Sequence, residues 1–154
     1  MFSPQTEAKI DALIAKYPYK RSAILPIIHL AQLEQGKVTE EAIHYIADRL
    51  DLEPVEVYEV VTFYSMYFME EIGKYHLQVC RTLSCMLCGA EEITAHLEKK
   101  LGIKPGQVTP DGRFRLSEVE CLGSCATAPV MQVNFDYYEN LTPEKVDEIL
   151  KNLP

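Results

Sequence analysis

Five cysteines, Cys80, Cys85, Cys88, Cys121 and Cys125, carry the chemistry this sequence offers, and all lie in the second half of a 154-residue chain. An odd count does not suit a disulfide framework, and in a reducing compartment thiols more often serve as metal ligands or redox groups. Three groupings compete. Cys80, Cys85 and Cys88 form C-x4-C-x2-C, a spacing that holds a [2Fe-2S] cluster when a distant thiol, here Cys121, completes the set; Cys125 is then a spectator. Alternatively Cys80-x4-Cys85 pairs with Cys121-x3-Cys125, and Cys88 is the spectator. The third grouping is Cys85-Met86-Leu87-Cys88, a C-x-x-C beside a strand and a helix, which reads as a dithiol redox site.

Local sequence favours the second grouping. Cys121-Leu122-Gly123-Ser124-Cys125 is a small-residue loop whose backbone can close around a cluster. A diiron cluster needs two ligands per iron, and two loops that each carry a close pair supply them. Four thiolates around two ferric ions and two sulfides leave a net negative cluster, so donors are expected nearby. Backbone N–H groups, the hydroxyls of Thr82, Ser84, Ser124 and Thr127, and the charge of Arg81 are the candidates. Structural zinc is a weaker reading, because it favours C-x2-C knuckles. The dithiol is weaker too, because Cys80 stands between the strand and its motif. Outside a ligand set, Cys88 is expected to be a buried small hydrophobe. His29, His44, His76 and His96 are scattered without ligand spacing, which disfavours a site with two histidines in place of two cysteines. No side chain is expected to act as a general base or nucleophile, and no G-x-G-x-x-G or P-loop is present, so nicotinamide and flavin sites are expected elsewhere.

The elements that must position these thiols follow from periodicity. Ile10, Leu13, Ile14 and Tyr17 repeat with helical spacing, as do Ile24, Ile27, Ile28 and Ala31 ahead of a C-cap at Gly36. Thr39 suits an N-cap for Ala42, Ile43, Ile46, Ala47 and Leu50, and Pro54 suits the first turn of a fourth helix carrying Val57, Val61, Tyr64 and Phe68. Five aromatics between Tyr58 and Phe68 serve either as core or as a partner-docking surface. After Gly73 the period becomes alternating: Tyr75, Leu77 and Val79 share one strand face, His76 lies on the other, and the strand runs into Cys80. Ala90–Leu101 reads as a helix stopped by Gly102; 114–119, 130–133 and 135–139 read as strands; a last helix starts at Thr142 and Pro143. This order resembles a thioredoxin-like sandwich, in which the Ala128–Pro129 bond would be cis. The fold class is therefore α+β, a helical bundle over 1–72 followed by a thioredoxin-like α/β domain over 73–154.

Composition narrows the partners. A formal charge of -8 argues against phosphate-driven nucleic-acid binding. The most apolar stretch, 23–33, is too short to cross a membrane. The N-terminus lacks the marks of a targeting peptide, which suggests a protein of the cytoplasmic side.

Three segments, VTFYSMY (Val61 to Tyr67), VCRTLSC (Val79 to Cys85) and ECLGSCATAPVMQVN (Glu120 to Asn134), resemble the 24-kDa-type subunit family of NADH:quinone oxidoreductase, the respiratory complex I, called E in bacteria. The resemblance spans almost the whole chain. It implies one [2Fe-2S] cluster held by Cys80, Cys85, Cys121 and Cys125, with Cys88 outside the family pattern. It implies an electron carrier docked on an F-type, 51-kDa-type flavoprotein that binds NADH and FMN, within the peripheral arm of the complex. Similar subunits serve NAD-linked hydrogenases and formate dehydrogenases, and the length with a full helical N-terminal region favours the quinone-reducing complex.

Overall fold

Local chemistry sets the ends of the helices in the first half. Ser3 caps α1 (Pro4–Lys16) by accepting from the Thr6 N–H, and Gly36, in the left-handed conformation, closes α2 (Ile24–Gln35). Thr39 accepts from the Ala42 N–H at 3.1 Å at the start of α3 (Glu40–Leu50), and Pro54 occupies the first turn of α4 (Pro54–Phe63). The computed structural model describes residues 2–154 and divides into two units, Met1–Glu71 and Ile72–Pro154. In the first unit, Ile10, Ile27, Ile28, Ala31, Ala42, Ile46, Ala47 and Val57 are wholly buried, the apolar faces that the helical period marks, and Val38 between α2 and α3 joins them.

One helix is shorter than its periodicity predicts. The spacing of Val57, Val61, Tyr64 and Phe68 extends α4 through Phe68, whereas it ends at Phe63 and Tyr64 is already extended. Side chains elsewhere in the unit claim the following segment. The Gln32 amide donates to Met66 O at 2.9 Å and accepts from the Phe68 N–H at 2.7 Å; the Val38 N–H donates to Phe68 O, and the Tyr67 hydroxyl to Leu25 O. These bonds satisfy backbone groups that a longer helix would pair internally, and Val60-Val61-Thr62-Phe63 is a weak helix former.

In the second unit a four-stranded mixed sheet has the order β2-β1-β3-β4. It comprises β1 (Tyr75–Cys80), β2 (Phe114–Val119), β3 (Met131–Val133) and β4 (Asp136–Tyr138); β1 and β2 are parallel, and the other pairs are antiparallel. Between β1 and β2 lie α5 (Leu83–Leu87) and α6 (Ala90–Leu101), and α7 (Pro143–Asn152) follows β4. Leu77, Val79, Leu97, Leu116, Met131 and Val146 form the centre of the core. Alternation along β1 predicts a face opposite Leu77 that bears His76, and that side is buried as well: His76 is only 4% exposed, with Nε2 2.8 Å from Ser117 Oγ. Burial, with the Arg115 charge second, lowers its pKa to about 4 and keeps the ring neutral. Across α6 and α7, Asp147 meets His96 Nε2 and Lys100 Nζ, both at 2.7 Å.

Candidate metal centre

Parallel pairing brings the two cysteine loops together. Because Cys80 is in register with Val119, β1 and β2 release the chain at the same end of the sheet. From β1 the chain passes Cys80 and Thr82 into α5, which carries Cys85; from β2 it passes Cys121 into a 3-10 turn, Cys125–Thr127. The sheet fixes the roots of both loops: the Cys80 N–H donates to Val130 O and the Arg81 N–H to Val119 O. Ala128–Pro129 is cis, as the thioredoxin-like reading anticipates.

Four of the five thiols converge. Cys121 Sγ lies 3.5 Å from Cys125 Sγ, Cys80 and Cys85 interact directly, and Cys80 also influences Cys121 and Cys125 across the loops. Cys80 and Cys85 are buried, while Cys121 and Cys125 are exposed. Burial works to raise the Cys80 pKa, but the hydroxyl and N–H of Thr82 outweigh it and hold the thiol below its ordinary value. Cys85 is pushed up to about 11, first by burial and then by its hydrogen bond with Cys80. In the other loop, the Gly123 N–H lowers Cys121, and Cys121 in turn raises Cys125. Each pair thus has one thiol whose pKa is lowered and one whose pKa is raised. Cations can replace the thiol protons, and a bound metal deprotonates a coordinating thiol outright. Among the described residues, no three His, Cys, Asp or Glu side chains close on a single point as one metal ion would require. The donors stand instead as two pairs, which fits the demand of a diiron cluster for two thiolates at each iron.

The surroundings depart from the sequence reading in four places. Thr82 meets sulfur, with Oγ1 3.3 Å from Cys80 Sγ, and Ser84 interacts with Cys125. Ser124 and Thr127, however, turn away from sulfur: both hydroxyls donate to Glu139, Thr127 at 2.7 Å. Arg81 is neutralised by Glu120, whose Oε1 accepts from Nη2 at 2.6 Å. Cys88, expected to be buried, is exposed at the C-terminal end of α5. Gly123 is held at φ +82, where its N–H lies 3.4 Å from Cys121 Sγ, a conformation that favours glycine. Around the thiols α5 exposes Leu83, Met86 and Leu87, the last at 74%.

The sequence reading missed α5 itself and the role of Glu139. A five-residue helix is too short to show a period, and Glu139 stands 15 residues from Ser124 with no local motif to link them. Tyr137 donates its hydroxyl to Leu122 O at 3.0 Å and braces the same loop.

The chain is similar to known proteins. The NADH-quinone oxidoreductase E 2 subunit of Rhizobium meliloti (strain 1021) is 49% identical over 144 residues, covering 94% of this chain and 86% of the relative. The corresponding E-type chain of the Rickettsia felis (strain ATCC VR-1525 / URRWXCal2) NADH-quinone oxidoreductase is 50% identical over 143 residues, covering 91% and 86%. Among solved structures, an NAD+-reducing [NiFe]-hydrogenase in the air-oxidized state shares the fold, with a TM-score of 0.75 at 22% identity, over 83% of this chain and 22% of that one. The thioredoxin-like [2Fe-2S] ferredoxin family matches residues 10–154. Its sequence, its sheet and its two cysteine loops together mean that the chain belongs to the thioredoxin-like [2Fe-2S] ferredoxin family, among the E-type subunits of NADH-quinone oxidoreductases.

Proposed function

We propose that the chain holds one [2Fe-2S] cluster through Cys80, Cys85, Cys121 and Cys125 and carries electrons within an NADH-quinone oxidoreductase, exchanging one electron at a time with FMN on an NADH-binding flavoprotein subunit. The observation that carries this reading is the convergence of four thiols as two pairs, one from each loop, with Cys88 left outside. The cluster supplies one-electron redox chemistry. The chain's residues hold and shield it: β1 and β2 fix the loop roots, buried Cys80 and Cys85 form the inner side, and exposed Cys121 and Cys125 the outer side, facing a partner. Exposed Leu83 and Leu87 on α5 offer an apolar surface from which a docked flavoprotein can expel water. Relatives near 50% identity favour the quinone-reducing complex over a hydrogenase or formate dehydrogenase assembly. A Cys85/Cys88 dithiol has little support, since the pKa of Cys85 is raised where an attacking thiol needs it low. No helix among the described residues is long and apolar enough to cross a membrane, and we place the chain on the cytoplasmic side, peripheral to the membrane through its complex.

Iron and acid-labile sulfide, measured on anaerobically purified chain with a low-temperature EPR spectrum of the reduced sample, test the reading. About two irons and two sulfides per chain with a spin-half signal are expected. Cys125→Ser is expected to lose the signal and Cys88→Ser to keep it. The reverse pattern would move the ligand set to Cys80, Cys85, Cys88 and Cys121.

A further inference from the structure

Glu139 follows β4 and reaches back to the second cysteine loop. Its Oε1 accepts from Thr127 Oγ1 at 2.7 Å and from Ser124 Oγ, the residues that flank Cys125 on either side of its turn. The main chain repeats the attachment, since the Asn140 N–H donates to Thr127 O at 2.7 Å. Glu139 is itself fixed from behind, where Lys145 Nζ at the start of α7 donates to its carbonyl oxygen at 2.6 Å. Thr127 Oγ1 also lies 3.1 Å from Ser124 O, so the turn is closed on itself and tied to the end of β4 as one piece. Both hydroxyls belong to the turn that carries Cys125; the Ser124 hydroxyl donates to Glu139, whereas Thr127 Oγ1 meets Ser124 O as well as Glu139. Here a carboxylate takes both.

We propose that Glu139 is a positioning residue for the electron-transfer centre: it orients the Cys125 turn and withholds the Ser124 and Thr127 hydroxyls from the cluster's sulfurs, keeping the cluster harder to reduce. Two effects of the carboxylate act in the same direction. Hydrogen bonds to sulfur stabilise the more negative, reduced cluster, so their removal lowers the potential. A negative charge beside the cluster opposes the arriving electron and lowers it further. The two hydroxyl donors also hold the Glu139 pKa below the usual range, which keeps the group charged near neutrality. The inference rests on the reading of Cys125 as a ligand of a [2Fe-2S] cluster.

The test compares the full chain as wild type, Glu139→Gln and Glu139→Ala, each loaded with iron and sulfide, by dye-mediated redox titration, EPR g-values and the rate of iron loss to a chelator. Glu139→Gln keeps an accepting oxygen but loses the charge, and is expected to shift the potential upward with iron content and g-values close to wild type. Glu139→Ala also removes the acceptor of the Ser124 and Thr127 hydroxyls and so loosens the turn, and is expected to shift the potential further upward, alter the g-values and speed iron loss several-fold. If both variants hold the wild-type potential and g-values, the proposal fails, even where the protein is less stable, because a purely structural brace moves stability alone. If the alanine variant does not fold, the glutamine variant decides. A wild-type chain that takes up no [2Fe-2S] cluster overturns this inference together with the function it rests on; a loaded wild type with unshifted variants overturns this inference alone.

Discussion

Thr82 sits between the two cysteine loops, 3.3 Å from Cys80 Sγ and within reach of Cys121. With a cluster bound, a hydroxyl there withdraws charge from thiolate sulfur and favours reduction. Thr82→Val, which keeps the shape and removes the donor, is therefore expected to lower the reduction potential while iron content stays unchanged, as a redox titration would show. His76 makes a second expectation. Its pKa falls from the ordinary 6.5 to about 4 on folding, so the unfolded chain takes up a proton between these values that the folded chain refuses. Stability is full above about pH 6.5 and is lost as pH falls toward 4, by up to roughly 3 kcal/mol for this group. Chemical unfolding of wild type and His76→Gln at several pH values should show the acid slope weakened in the variant. At this scale the cysteines are legible in sequence because their pairing is local, a few positions apart in each loop. The fates of Ser124, Thr127 and Arg81 are not, since side-chain rotation toward Glu139 and Glu120 decides them.

Among the elements, helix starts and stops are readable wherever a cap residue announces them, as at Thr39, Gly36, Gly102 and Thr142. The early end of α4 is not readable, because Gln32, distant in sequence, takes up the backbone of Met66 and Phe68. The point where β1 begins shows a sharper constraint. Gly73 has φ +70, and a Cβ there would meet Gly112 O at 3.0 Å, so both conformation and space exclude a side chain. Gly73→Ala is expected to destabilise the second unit by roughly 1 kcal/mol or more, read as a lower midpoint in chemical unfolding. Its effect on the spectrum of a bound cluster should be small, because the substitution lies at the opposite end of β1 from Cys80.

For the molecule as a whole, the surface of the first unit that best fits a docking role is the exposed aromatic end of α4. Phe63 is 80% exposed and stands edge-on to Tyr64, with ring centroids 5.1 Å apart. A monomer has little reason to display such a pair, whereas an interface does. Phe63→Asp is expected to weaken association with the proposed flavoprotein partner by roughly tenfold or more in a binding assay, with the cluster's EPR signal intact. The periodic sequence marks this segment as core or docking surface; which of the two holds depends on where the helix stops.

The shared exit of β1 and β2 also bears on how the folded state endures. In the proposed ligand set, Cys85 and Cys121 enclose 36 residue steps of chain, 121 minus 85, including all of α6 and β2. A cluster bridging them acts as an inorganic cross-link, and a loop of that length restricts the unfolded chain by about 4 kcal/mol on the disulfide scale. Loss of iron would then do more than extinguish a redox signal. It would cut the staple across the sheet's main crossover and leave the second unit open to proteases, so that metal loading and chain survival become one event.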